Sequence, residues 1–586
     1  MKKLIKQILI LPFVFAGAAC TNLDENMYDI IGTNNLIQNK EDIVSLAMMP
    51  YSHAFYTLRV LPDVQENAGD QWATYARHGN LWLGDGEMVR LHRHEWNWDD
   101  NYLASAWKQP WAGIAHTNNV EDILADIDPA KYNMERSEYT NLRLGNRCLR
   151  AWFYIHVLDL FRNVPIFKSL KHTDQNTASQ VSPQATFDFI EGELLEVLND
   201  PDFYVKASLG GNQARQQQWN KAGAAALLVR LYLNSEKWTG VARYDKCAEY
   251  AQKIIDGEYG LYKLDDSWDK PFKWNNDQSD ELIFAFESSL QYKHEHYSMD
   301  VYYWALCINV NSRYFLSDVD GDPNFRFALT PGLDNDGNEF TSKLGKPIRK
   351  FKKYPSDYRL KLYKNLSGGE REGMFLFGKI PDLVNSTPDK TVYLPQLYTN
   401  DPMIIRDQSG FFYDTPEEQL SIDDKRSGVA YADDGSGWRL VKYPFYGASD
   451  HDKIYQADYA EIRLAEIYYS LAECRLRAGN AKAAGDLLNE VRKRNYPESD
   501  YAGVLYQGSR QPMGSIVLDM DEMLDEWGRE FIGEMRRRTD IIRFDRFGEA
   551  WWDKPATDKT KEIFPLHRSV LATHPEYKQN EGYEHY

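Results

Sequence analysis

The strongest constraint on the fold is a pair of apolar stripes near the C-terminal end of the 586-residue chain. Tyr459, Ile462, Ala465, Tyr469, Ala472 and Leu476 recur every three or four residues, the spacing that places side chains on one helical face. Gly479-Asn480 then supplies a stop. A second stripe follows at once with Ala484, Leu487, Leu488 and Val491. Small alanines on both stripes let two backbones approach closely, so the segment predicts an antiparallel helical hairpin. The arrangement repeats earlier: Ala222 to Tyr232, with Ala224, Leu228 and Leu231, is followed by Tyr244 to Ile255, with Ala248, Ala251 and Ile255. Further helices are predicted over Ala104 to Ile127, Glu138 to Phe161 and Ala185 to Leu198.

Repeated hairpins with small residues at their contacts predict a mainly α fold, a tetratricopeptide-like scaffold of stacked pairs. A generic helical bundle is the alternative that periodicity leaves open. The scaffold is expected over residues 40–260 and 456–548. Between about Asp265 and Tyr455 the pattern turns to Gly, Pro, Asp and aromatic residues, with short alternating stretches such as Leu282 to Phe286. This predicts a large irregular, partly β insert, and structureless segments of such length are usually functional. No Pro/Ser/Gly-rich linker divides the chain, so residues 20–586 are expected to form a single domain.

The first residues have a separate task. Lys2, Lys3 and Lys6 precede an apolar run from Ile8 to Ala19, the layout of a cleavable signal peptide over residues 1–19. The run is too short to span a bilayer, which needs about 20 apolar residues. Gly17, Ala18 and Ala19 lead into Cys20, the position at which lipoproteins are acylated, although Gly17 stands where Leu is usual. An ordinary secretion signal with an incidental Cys is the alternative. Several acyl chains on Cys20 would hold the protein at a membrane, since each buried methylene contributes about 0.8 kcal/mol.

With Cys20 so used, Cys148, Cys247, Cys307 and Cys474 remain, too widely spaced for a disulfide framework. No C-x-x-C pair offers a thiolate zinc site. Cys148, Cys247 and Cys474 lie in helical patterns among Ala and Leu and are expected in the core. A net charge of -19 argues against a nucleic-acid partner, which demands a basic footprint. Nothing in the sequence marks an enzyme: G-x-S-x-G, H-E-x-x-H and phosphate-loop patterns are absent, and scattered carboxylate pairs in an acidic chain do not make a glycosidase. His92-Arg93-His94 and His294-Glu295-His296 are expected in surface loops, and His156 as a satisfied core residue. The run Arg536-Arg537-Arg538 is expected on a helix, with Glu534 facing Arg538 and Arg536 facing Asp540, over an apolar stripe of Leu524, Trp527, Phe531, Met535 and Ile542.

Several stretches, in order along the chain, resemble the SusD/RagB family of Bacteroidetes nutrient-binding lipoproteins. After Cys20 comes Leu23-Asp24-Glu25. Trp107-x-x-x-Trp111-x-x-Ile114-x-x-x-Asn118 is similar to the family's early helix. Arg150-Ala151-Trp152-Phe153-Tyr154, leading to Phe161-Arg162-Asn163-Val164-Pro165, is similar to its next helix and exit, with Arg162 and Asn163 departing from the usual pattern. The pair over Glu461 to Arg494, then Arg529-Glu530-Phe531-x-Gly533-Glu534-x-Arg536-x-x-x-Asp540, Phe564-Pro565-Leu566 and Asn580-x-Gly582-Tyr583 complete it. The resemblance implies a lipid anchor at the outer membrane, surface exposure, and a SusC-type TonB-dependent transporter as partner. It implies binding without catalysis, of glycans in most members and of peptides in RagB-like ones. A helical-repeat adaptor that only gates the transporter is a third reading.

Sugars present C–H faces that stack on aromatic rings and hydroxyls that suit amide, carboxylate and guanidinium partners. The chain has 38 Tyr and 16 Trp, more than a core of this size requires. Two clusters are therefore the expected ligand residues: Trp72, Tyr75, Arg77, Trp82, Trp96 and Trp98 before the early helix, and Tyr292, Tyr297, Tyr302, Tyr303 and Trp304 in the insert. For any one ring, packing is the competing role. Asp318, Asp320 and Asp322, and likewise Asp334, Asp336, Asn338 and Glu339, place hard oxygen ligands at alternate positions, as structural calcium loops do. A hydrogen-bonded Asp-Gly turn is the alternative. No other cofactor is expected.

Overall fold

Asn39 opens the first helix with a reciprocal cap: its side chain accepts the Asp42 N–H while the Asp42 carboxylate accepts its own N–H. A computed structural model describes residues 37–76, 86–171, 178–210, 217–288, 327–379, 404–411, 426–433, 435–444 and 456–583. From that cap run α1 (Lys40–Leu61), α2 (Asn101–Leu124), α3 (Arg136–Phe161), α4 (Pro183–Asn199), α5 (Lys221–Leu233) and α6 (Tyr244–Ile255). Each packs on the one before it. After the central segment, α7 (Leu464–Arg477) docks on α6 and α8 (Ala481–Arg492) on α7, so the stack resumes where it was interrupted. This is the stacked-hairpin scaffold that the apolar periodicity predicts.

Close approach is achieved by small residues. Gly113 of α2 faces the Phe153 ring of α3 so tightly that a Cβ would lie 2.2 Å from the ring. On α5 the run Ala222, Ala224, Ala225 and Ala226 is wholly buried, which lets its neighbours crowd it from several sides. Cys148, Cys247 and Cys474 are free thiols buried in these helices, as expected.

Strands pair only in twos among the described residues. β1 (Trp72–Thr74) pairs antiparallel with β3 (Phe327–Leu329), and β2 (Leu282–Phe286) with β4 (Tyr459–Arg463). The second pair corrects the expectation of a helical stripe beginning at Tyr459. Tyr459 and Ile462 fit a helical stripe, but the backbone of 459–463 is taken up by β2, with an irregular register, and the helix begins only at Leu464. Tertiary pairing overrides local period here.

A second correction concerns the arginine run. One helix was expected to carry Leu524 through Ile542; instead α9 (Met520–Glu530) ends, the chain turns through Gly533 (φ 73°) and Met535 (φ 54°), and α10 (Arg537–Arg543) begins. Arg536 does pair with Asp540 at 3.2 Å. Glu534 and Arg538 are separated by the turn: Arg538 binds Asp159 at 3.0 Å, and Glu534 binds Arg463 at 2.9 Å. Arg537 binds Asp70 at 2.6 Å. All three arginines are therefore committed to intramolecular pairs rather than left as an anion site.

These belong to a larger buried lattice. Arg463 reaches Glu281 (3.1 Å), Glu530 (2.8 Å) and Glu534; Arg494 joins Glu281 and Glu530; Arg359 bridges Asp357 (2.7 Å) and Glu530 (3.1 Å). Next to it Arg492 and Arg529 share Glu526, and Arg529 also holds Glu522. No helix among the described residues is long and apolar enough to cross a membrane.

Two outcomes test this description. Gly113→Ala forces a methyl into the Phe153 ring and should destabilise the protein by about 1–3 kcal/mol in urea unfolding. In the lattice, burial alone would raise the carboxyl pKa values, but Arg529 and Lys353 hold Glu522 at about 2, Arg492 and Arg529 hold Glu526 at about 2, and Arg230 and Arg536 hold Glu466 at about 2. Carboxyls in the unfolded chain titrate near ~4.3, so this stabilisation is complete above that value and disappears as the pH falls through the folded values. The Tm followed by circular dichroism should therefore fall steeply as the pH drops from roughly 4.5 towards 2.

Candidate functional site: an aromatic cleft on the first hairpins

Trp107, Trp111, Ile114 and Asn118 follow one another at helical spacing, so α2 presents them as a single stripe. The stripe forms one wall of a cleft of about 210 Å³. Phe167, on the extended segment after α3, lines the second wall, and His574 and Tyr577, just beyond the short helix Arg568–Thr573, line the third.

The second wall is fixed by hydrogen bonds. The Phe167 N–H donates to the Tyr154 hydroxyl at 2.8 Å, and the Phe167 carbonyl accepts from the Asn118 amide at 3.0 Å and from Tyr154 at 3.2 Å. Arg150 steadies Asn118 in turn, donating to its Oδ1 at 2.9 Å while pairing with Glu193. Asn118 is thus a strut of the wall, with both ends of its amide occupied. On the third wall the His574 and Tyr577 rings stack at 4.6 Å and 11°. Burial pushes the Tyr577 hydroxyl up to about 12, so it is a neutral phenol at any physiological pH.

The rings meet the cleft at differing angles. Trp107 and Trp111 lie 5.4 Å apart and tilted at 44°, and Trp111 stands edge-on to Tyr154 and Phe167. Both tryptophans are half-buried, and the Trp111 indole N–H is shielded from solvent with no hydrogen-bond partner. The volume lies below the ~300–1,000 Å³ of drug-sized pockets, a scale that suits a single ring-sized unit. An apolar, π-rich lining of this kind can stack the C–H face of such a unit.

The rings expected from sequence have other roles where the structure describes them. Trp72 is 2% exposed and packs on Phe327 at 5.0 Å; Tyr75 is 2% exposed and donates to the Leu329 carbonyl at 2.8 Å. Trp96 is 3% exposed, donates to the Tyr583 hydroxyl at 2.9 Å and lies against Phe564. Rings enclosed to this degree have no free face for a ligand, so these three are corrected to core. Trp98 is half-buried, and its carbonyl accepts the Arg568 N–H at 3.1 Å. Arg77, Trp82, Tyr292, Tyr297, Tyr302, Tyr303 and Trp304 lie outside the described residues, as do Asp318, Asp320, Asp322, Cys20, Cys307 and the His294 to His296 run.

The second acidic loop is a hydrogen-bonded turn. The Asp334 carboxylate accepts the N–H groups of Asp336 (3.0 Å) and Asn338 (2.8 Å), Gly337 supplies φ 86°, and the bond from Asn338 holds the Asp334 carboxyl below its usual range. Among the described residues no three His, Cys, Asp or Glu side chains gather to hold a metal ion. His92 and His94, expected in a surface loop, are buried at the end of the helix Glu87–Arg93, where each ring Nε2 meets a backbone carbonyl. His156, expected as a satisfied core residue, is partly buried and stands edge-on to Trp152, with no partner for its Nε2.

The fold and sequence have known relatives. Residues 411–581 match the profile of the SusD family, over the region that contains α7 to α10. The starch-binding protein SusD of Bacteroides thetaiotaomicron is 25% identical over 539 residues, 83% of each chain. The chain is thus similar to SusD-family proteins in its C-terminal pattern and in its fold. Solved SusD-like structures share the fold: a laminarin-binding SusD-like protein aligns with TM-score 0.61 at 17% identity, covering 93% of this chain and all of its own. Surface glycan-binding protein A of Bacteroides thetaiotaomicron, in complex with laminarihexaose, aligns with TM-score 0.61 at 15% identity over the same shares. The cleft uses two residues of the early helix, Trp107 and Trp111, that belong to the motif similar to the family's early helix and lie outside both expected ligand clusters. Two tryptophans one turn apart on a helix that also needs an apolar face was the available signal.

Proposed function

We propose that this protein is a member of the SusD family, a lipid-anchored, surface-displayed glycan-binding protein of the outer membrane. It captures oligo- or polysaccharide without cleaving it and passes it to a SusC-type TonB-dependent transporter. The observation that carries the reading is similarity to a starch-binding protein along 83% of both chains. The aromatic cleft agrees with it chemically, because partly exposed indoles suit a sugar's C–H face. The acidic balance of the chain favours neutral ligands over anionic ones.

Purified protein should be retarded by one or more polysaccharides in affinity electrophoresis and release no shorter product on prolonged incubation. Soluble fragments appearing from any of them, or binding of peptides with no response to sugars, would defeat the reading. If the described cleft contributes, Trp107→Ala and Trp111→Ala should each weaken the interaction by roughly 3- to 10-fold, the range for loss of one aromatic contact.

The anchor is tested separately. Cys20→Ser should abolish incorporation of radiolabelled palmitate and move the protein from the membrane fraction to the soluble one. Unchanged membrane recovery of that variant would remove the lipid anchor from the proposal while leaving glycan binding untouched.

A further inference from the structure

On the side of α2 turned away from the aromatic cleft, two histidines from different helices face each other. His53 comes from α1 and His116 from α2, and their ring centres lie 4.9 Å apart with planes at 57°. His53 Nε2 is 3.1 Å from the backbone carbonyl of Gln109. A carbonyl only accepts, so Nε2 carries the proton and Nδ1 is left with its lone pair. An imidazole whose far N–H is tied to a carbonyl is the usual arrangement for a ligating histidine, because that bond fixes tautomer and ring orientation. His116 makes no hydrogen bond among the described residues.

We propose that His53 and His116 form a two-imidazole site for a late first-row divalent cation, Zn²⁺ before others, bridging α1 and α2. The spacing suits the ion. With metal–nitrogen bonds of about 2.0–2.1 Å and a near-tetrahedral angle, two imidazole centres on one zinc lie roughly 5 Å apart. Nitrogen ligands select zinc, copper or nickel and not calcium or magnesium. Both rings are only partly buried, so water can complete the coordination sphere. Partial burial also holds both imidazoles below their usual pKa, which leaves them neutral and able to bind a cation at neutral pH. Since no third His, Cys, Asp or Glu joins them among the described residues, the ion is exchangeable rather than permanently enclosed. Its effect is to cross-link the first two helices of the stack.

The test uses the full-length mature protein stripped of metal and titrated with Zn²⁺ at pH 7.5, with calorimetry and thermal unfolding as readouts. The expected result is a binding event that raises Tm, that Ca²⁺ neither produces nor displaces, and that weakens ~10-fold or more in both His53→Gln and His116→Gln. Co²⁺ bound to the wild type should give visible absorption of a nitrogen-ligated ion, which disappears in each variant. With 13 histidines in the chain, other sites can contribute background. Zinc binding that is equal in wild type and both variants, or no zinc binding by the wild type, overturns the proposal and leaves the pair as an ordinary ring contact. Circular dichroism of the variants guards against misfolding, and the cobalt spectrum of the wild type tests the ligand set without any substitution.

Discussion

Arg463 sits where three separate parts of the chain meet. It is the last residue of β4, and its guanidinium reaches Glu281 beside β2, Glu530 at the end of α9 and Glu534 in the turn beyond. Its planar fork of donors can satisfy several carboxylates at once, which a lysine could not do with the same geometry. Buried ion pairs of this kind add little net stability over apolar packing, but a partner out of place strands a charge in a poor solvent. The lattice therefore fixes which arrangement of strand pair, α9 and helical stack is acceptable. Other parts of the molecule inherit their placement from it, including the turn at Gly533, which lies close against the Trp72 ring.

The helical stack was legible in the sequence because each helix buries one stripe, and a buried stripe leaves a period of three to four. The predicted segments from Ala104 to Ile255 match α2 to α6 to within a few residues. Two stretches were misread, and for related reasons. Tyr459 to Arg463 has a pattern compatible with a helix, and only the presence of β2 nearby in space turns it into a strand. Glu530 to Arg537 reads as continuous helix until Gly533 and Met535 adopt left-handed backbone, where Arg538 turns to Asp159 instead of Glu534. Long-range partners decided both, and sequence spacing carries no record of them.

The site was harder to read for a different reason. Aromatic abundance points to stacking surfaces, but a ring's type does not say which way it faces. Trp72, Tyr75 and Trp96 lie near one another in sequence, but each is enclosed by different neighbours, Phe327, Trp552 and Phe564 respectively. Trp107 and Trp111 look like packing residues on a helix, yet they remain half exposed because the C-terminal segment carrying His574 and Tyr577 approaches without closing over them. Polar contacts complicate matters further: Asn118 lines the cleft but is occupied by Phe167 and Arg150.

The pairing of β2 with β4 brings Phe286 opposite Tyr459, so the long central segment leaves the stack and returns at the same point. A segment whose ends are already joined tolerates changes in length well, since doubling a loop costs only about 0.6 kcal/mol. A lineage can thus lengthen or trim turns of that excursion while α6 and α7 continue to meet as before, provided that β3 keeps its pairing with β1 and Arg359 its carboxylates. The strand pair serves as a socket, and the turns mounted beyond it become exchangeable fittings on an unaltered chassis.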